Sequence, residues 1–360
     1  MFYFLHRLTA YSIVFNLFRY ITFRSAAASI TAFLISILLG PRLIAWLKSL
    51  SAMAHQQREH AEKIHQLYAH KKTPTMGGIL ILASVVISML LWGNYLNRFT
   101  WLLLFVTVGF GGVGFLDDWI KLKSKSSKGL SSRTKLYGQL VFGAMLGAYL
   151  YLTGFTDTLL YLPFLKMPVL RLGAFFMPFV VLVLVGSSNA LNLTDGLDGL
   201  AIGCTLFAVA ALAIISYVSG HAQFAHYLAI PHIPDAGEIT VFCSALLGAC
   251  AGFLWFNSYP AEVIMGDTGS LALGGALGAV AVLIKKELVL VIVGGIFVWE
   301  ALSVILQVAS FKMFKKRIFL MSPFHHHLQL KGWPESKVTV RLWLIAMVLA
   351  VIGLSTLKVR

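Results

Sequence analysis

Long apolar runs separated by short polar connections make up most of this chain. Crossing about 30 Å of hydrocarbon takes roughly 20 apolar residues in helical form. Ten runs near that length stand out, close to 25–47, 77–93, 99–116, 136–153, 174–194, 199–218, 239–256, 269–284, 288–311 and 341–357. Several are short, and only a polar turn divides the fifth from the sixth. Backbone groups in lipid need internal partners, so such runs are helices. The pattern predicts an all-α polytopic membrane protein of about ten transmembrane helices, forming one domain over 1–360 without solenoid-type repeats.

Composition agrees and adds sidedness. The 360 residues are 58% hydrophobic and 12% charged, with a mean hydropathy of +0.82; soluble domains carry roughly 25% charged residues. A net charge of +15 could suggest nucleic acid. In a multispan protein it reads first as basic loops held at the cytoplasmic face, so no nucleic-acid partner is expected. Most loop Lys and Arg follow odd-numbered spans, which places those loops in the cytoplasm and both termini outside. Lys285 and Lys286, after the eighth span, are the exception. The first 24 residues, broken by Arg7, Arg19 and Arg24, lack the pattern of a cleavable signal peptide. Cys204, Cys243 and Cys250 all lie in apolar runs without metal-ligand spacing and read as small buried residues.

Five of the seven aspartates sit at the mouths of these runs: Asp117, Asp118, Asp195, Asp198 and Asp267. A carboxylate beside hydrocarbon is costly unless it meets water, a cation or a partner. Asp117 and Asp118 repel each other unless a cation is near, and Lys121 follows them. That grouping suits a divalent metal or a phosphate, against a plain solvated helix end. The basic loop beyond, which includes Lys128, suits topology and anionic lipid first and phosphate in addition.

Asn189, Asn192, Asp195 and Asp198 recur at spacings of three beside glycines, more polar groups than a re-entry turn requires. The stretch 265–270 puts Asp267 in a Gly-Asp-Thr-Gly-Ser turn at a helix start, offering backbone N–H groups to phosphate and a carboxylate to Mg²⁺. Helix capping is the plainer account. Asn257 lies on the same side, whereas Gly274 and Gly278 suit helix packing. Thr75, beside Pro74, reads first as part of a helix cap. His325, His326 and His327 cannot all face one metal on a regular helix, so a loop presenting them to an anionic phosphate is expected instead of a zinc site. Glu300 fits a functional or a packing role equally. Every one of these clusters follows an odd-numbered span, so one composite cytoplasmic site is expected.

In combination the motifs TPTMGG (73–78), DDWIK (117–121), NLTDGLDGL (192–200), WFNSYPA (255–261), MGDTGSLALGG (265–275) and HHH…KGW (325–333) resemble the phospho-N-acetylmuramoyl-pentapeptide transferases. These belong to the polyprenyl-phosphate N-acetylhexosamine-1-phosphate transferase superfamily, and the likeness runs over nearly the whole chain. The resemblance implies transfer of phospho-MurNAc-pentapeptide from UDP-MurNAc-pentapeptide to undecaprenyl phosphate, giving lipid I and UMP with Mg²⁺. It implies a multi-pass protein of the bacterial inner membrane, in contact with membrane lipids, whose site faces the cytoplasm. Asp267 would be the principal Mg²⁺ ligand, with Asp117 beside it. Asp117 and Asp118 would place or deprotonate the lipid phosphate next to Lys121. Asn192, Asp195 and Asp198 would face the nucleotide, and His325–His327 the diphosphate and sugar.

Four departures stand out. His70-Lys71-Lys72 precede Thr-Pro-Thr where the family often has Lys-x-Gly, so Lys71 or Lys72 takes that anchor. An acidic Asp-Gly-Pro loop is replaced around Glu62-Lys63-Ile64. Ile264 stands for an aromatic, and Gln329 for a glutamate. A sister enzyme moving GlcNAc-1-phosphate to the same lipid is the nearest rival. A secondary transporter would place carboxylates near the bilayer midplane with repeat symmetry, and neither is visible. Direct attack is favoured over a covalent aspartyl intermediate. Oligomeric state is left open, a homodimer among the alternatives.

Overall fold

A computed structural model describes residues 1–52, 73–124, 129–165 and 167–358. Two short 3₁₀ segments, Phe2–Ala10 and Ile13–Arg19, lead into α1 (Ile21–Ala52). There follow α2 (Gly78–Trp92), α3 (Arg98–Lys123), α4 (Ser132–Leu152), α5 (Phe176–Thr194), α6 (Leu200–Gly220), α7 (Ala222–Leu228), α8 (Gly237–Asn257) and α9 (Gly266–Leu283). Then come α10 (Glu287–Val293), α11 (Gly295–Phe314), α12 (Phe324–Leu330) and α13 (Glu335–Ser355). A two-stranded antiparallel hairpin, β1 (Leu159–Leu160) with β2 (Leu170–Arg171), projects between α4 and α5.

Each of the ten apolar runs is helical, and among the described residues eight helices are long and apolar enough to cross a membrane. The molecule is an all-α polytopic membrane protein. Starts are set by caps: the Asn97 side chain accepts from the Phe99 N–H at 2.8 Å, and Ser131 accepts from Thr134 at 3.2 Å. Large apolar side chains such as Leu38, Leu182, Ile305 and Val351 point outward, as a lipid-facing surface requires.

α9 is the hub. It packs against α2, α3, α5 and α10, and its Gly/Ala-rich surface is almost wholly buried. Gly274 and Gly278 lie against Ser187, Ser188 and Leu184 of α5, the packing role expected of them. A second group joins α1, α2, α6 and α8. There the Arg24 guanidinium makes a buried two-pronged pair with Glu238, at 2.9 and 2.6 Å.

Two boundaries differ from expectation. The run 288–311 is divided at the Gly294-Gly295 pair into α10 and α11, because glycine backbone there leaves the helical path without a side chain to hold it. α3 does not stop at 116 but continues to Lys123, carried on by Asp117–Lys121 and Asp118–Lys121 pairs one turn apart.

Candidate active site

Asp117 and Asp118 occupy the last turns of α3 and Asp267 the first turn of α9. Their carboxylate oxygens lie within 4.8 Å of one another. The approach depends on missing side chains. A methyl group on Gly114 would overlap the Asp267 carbonyl, and one on Gly266 would stand 2.7 Å from an Asp118 oxygen. Gly266 also has φ +74°, the left-handed region that glycine enters freely.

The segment Thr73–Gly78 holds the same turn from outside. Gly77 and Gly78 N–H groups donate to the Ile264 and Met265 carbonyls at 2.9 and 2.8 Å, and the Ile264 N–H donates to Pro74 at 2.8 Å. Thr75 is half-buried beside that ladder.

Asp117 is fully buried rather than solvated. Lys121 Nζ lies 2.5 Å from Asp117, 3.7 Å from Asp118 and 3.0 Å from Asp267. Lys135, from the first turn of α4, reaches Asp117 at 3.1 Å and Asp267 at 2.5 Å. The Leu130 N–H donates to Asp117 at 2.7 Å; the Thr268 N–H and hydroxyl both donate to Asp118, at 2.9 and 2.8 Å. Thr268's N–H is therefore not free for phosphate, as the turn alone had suggested. Three carboxylates against two ammonium groups leave one net negative charge. A crowded all-oxygen set of that sign is compatible with a divalent metal.

The acid-amide turn after α5 adjoins this cluster. Asn192 accepts from the Ser270 hydroxyl at 2.8 Å, and the Asp195 carboxyl accepts from the Gly266 N–H. Burial first, then Asp267 and Asp118, pushes the Asp195 carboxyl up to about 8, so near neutral pH it can donate a hydrogen bond. Asn189 donates to Gln139 at 2.7 Å and to the Val185 carbonyl at 2.8 Å. Asp198 accepts from the Ala261 N–H at 3.0 Å, while Asn257 bridges the Gly199 N–H and the Val263 carbonyl at 3.1 and 2.8 Å. Asp198 and Asn257 thus brace the 195–199 and 258–263 turns against each other.

The three histidines stand on the short helix α12 opened by Pro323, not on a loop. Successive helical residues diverge by about 100°, and the three part company accordingly. His325 is buried and faces Glu300 at 3.2 Å; His326 meets Gln329 at 2.9 Å; His327 Nδ1 accepts from the Leu320 N–H at 3.1 Å. Burial lowers His326 to about 4, so it is neutral at pH 7.

Lys71 and Lys128 lie outside the described residues. Sequence reasoning missed Lys135, Gln139, Thr268 and Ser270 as members of the cluster. Thr268 and Ser270 lay inside the recognised turn. Lys135 gave no signal beyond its basic loop, because a helix-to-helix contact carries no spacing rule.

Comparison with known proteins gives the family. Residues 100–285 match the Glycosyl transferase family 4 model, and residues 71–82 match phospho-N-acetylmuramoyl-pentapeptide-transferase signature 1. Proteins named phospho-N-acetylmuramoyl-pentapeptide-transferase align along their whole length. The one from Thermodesulfovibrio yellowstonii is 51% identical over 99% of both chains. That from Oleidesulfovibrio alaskensis is 51% identical over 100% of both, and that from Granulibacter bethesdensis 52% identical over 99% of this chain and 98% of its own. With identity of that degree along nearly the whole of each chain, the protein belongs to the phospho-N-acetylmuramoyl-pentapeptide-transferase family of enzymes.

Proposed function

We propose that the protein transfers phospho-MurNAc-pentapeptide from UDP-MurNAc-pentapeptide to undecaprenyl phosphate, forming lipid I and UMP in peptidoglycan synthesis. The observation that carries this reading is the convergence of Asp117, Asp118 and Asp267 with Lys121 and Lys135 at one end of the helical bundle. An oxygen of the lipid phosphate attacks the sugar-bearing phosphorus of the nucleotide. A new P–O bond forms as the bond to the uridylyl phosphate breaks, and UMP leaves with the electron pair. Asp117 and Asp118 position the lipid phosphate, and a carboxylate of this pair accepts its proton to free the attacking oxygen. Lys121 and Lys135 offset charge growing on the diphosphate.

Asp267, with Asp117, would hold Mg²⁺, which supplies charge neutralisation to the phosphates when bound. Asn192, Asp195 and Asp198 face the nucleotide, with Asn189, Asn257 and Thr75 along its path. On α12, His326 and His327 face the diphosphate and sugar while His325 anchors the helix from behind, and Lys71 and Lys128 supply cationic charge to the phosphates. The site faces the cytoplasm of a bacterial inner membrane, where a water-soluble nucleotide and a membrane-held phosphate can meet. One attack without a covalent aspartyl intermediate suffices, since no second nucleophilic carboxylate is required.

The test is direct. Purified protein receives the muramoyl nucleotide, undecaprenyl phosphate and Mg²⁺, with UDP-GlcNAc in parallel, and UMP and lipid products are followed. Product from the muramoyl nucleotide alone, lost on chelation and in Asp267→Asn, is expected. Product from UDP-GlcNAc instead would move the chain to the sister activity.

A further inference from the structure

Glu300 lies on α11 and is fully shielded from solvent, as is His325 on α12. The His325 backbone N–H donates to Glu300 Oε2 at 3.3 Å, and Nδ1 of the same residue stands 3.2 Å from that oxygen, out of line for a full hydrogen bond. One carboxylate oxygen therefore accepts the backbone N–H of His325 and lies close beside its ring. The opposite ring edge meets the acid-amide turn. A methyl group on Gly196 would overlap Nε2 of His325, so the imidazole rests directly on the backbone between Asp195 and Leu197. Among the buried atoms of the described residues without a full hydrogen bond are Glu300 Oε1 and both ring nitrogens of His325, of which Nδ1 has Glu300 Oε2 as its nearest acceptor, at 3.2 Å. Unsatisfied buried polar atoms are uncommon in folded proteins and call for an explanation.

We infer that Glu300 is a positioning residue. It keeps the proton of His325 on Nδ1, since a carboxylate can only accept, and turns the bare Nε2 edge toward Gly196. α12 is thereby registered on the turn that carries Asp195 and Asp198. With His325 clamped inward, His326 and His327 are fixed on the other sides of the same helix. Glu300 need not touch substrate to do this. Orienting groups behind a functional imidazole fix its tautomer and ring angle in this way.

The rate arm of the test rests on the function proposed above; the spectroscopic arm does not. Protein carrying ¹⁵N-labelled histidine is compared with its His325→Asn variant to identify the His325 ring signals. The native ring is expected to show a protonated Nδ1 and a bare Nε2, and Glu300→Gln to shift it to a mixture of tautomers. In the same variant kcat is expected to fall about 10–100-fold, with KM for both substrates held within about twofold. Glu300→Asp should recover part of the rate. A Glu300→Gln protein with native kcat and unmoved His325 signals would overturn the inference and leave Glu300 as packing. Should Glu300→Gln fail to fold, Gly196→Ala tests the same contact from the other side. It displaces the ring with Glu300 intact, and a native rate and spectrum there would equally sink the idea. If native protein forms no product, the proposed function fails, and the tautomer measurement alone decides the role of Glu300.

Discussion

Lys135 is the residue whose effect separates charge balance from mere packing. It shares Asp117 and Asp267 with Lys121, so removing it leaves the cluster more negative. Lys135→Ala should lower kcat/KM by about 10²–10³-fold while strengthening binding of Mn²⁺, read by the loss of free-ion EPR signal. A loss of both would show that Lys135 only holds the fold. His326 gives a pH test. Its native value of about 4 lies below the ordinary 6.5, so the unfolded chain takes up the proton first. The stability this contributes is present above about 6.5 and is lost as pH falls toward 4. Thermal midpoints of native protein should drop more steeply over that window than those of His326→Gln. The aspartates were legible in the sequence because charge beside hydrocarbon is conspicuous. Their ammonium partners were not, because lysines in a basic loop look alike until the loop is folded.

Elements bring these groups together through two kinds of contact. Gly114 lets α3 touch the first turn of α9 backbone to backbone. Gly114→Ala should push Asp267 away from Asp117, lowering activity at least about tenfold and weakening divalent binding, with assay and Mn²⁺ titration as the checks. The Arg24–Glu238 pair works far from the site, joining α1 to α8, while Glu238 also takes the Asn94 N–H at 3.1 Å. Arg24→Ala leaves a buried carboxylate uncompensated and should cost about 3–5 kcal/mol, visible as a lower thermal midpoint. The helices were legible because apolar length is a strong signal. The break at Gly294 was not, since a Gly pair inside an apolar run is ordinary in membrane helices. Nor was α12, where a seven-residue helix follows Pro323 among polar residues.

For the molecule as a whole, the one exception in the charge pattern resolves itself. Lys285 and Lys286 are 3% and 2% exposed. Lys285 donates to the Asp157 carbonyl at 3.0 Å, lies 3.6 Å from Glu287 and covers the Phe176 ring at 4.6 Å. Lys285 is neutralised inside the fold and ties the start of the hairpin segment to the bundle, and Lys286 is buried beside it, so the pair is not a free basic loop. The sidedness inferred from the remaining charges can be read by thiol labelling. The cysteines Cys204, Cys243 and Cys250 are buried, so an introduced thiol reports alone. An impermeant maleimide should modify Phe164→Cys in intact spheroplasts and Ser124→Cys only after permeabilisation. The reverse pattern would invert the topology.

α9 has a consequence for how the protein is made. Of the eight helices among the described residues that are able to cross a membrane, it is the shortest and the least apolar. A translocon admits a segment by its hydrophobicity, and this one is rich in glycine and alanine because its neighbours, not lipid, surround it. It emerges from the ribosome after α3 and α5, the helices that cover it, are already in the bilayer. Asp267 thus arrives on a segment that older helices must retain, and completion of the acidic cluster and integration of α9 are a single event.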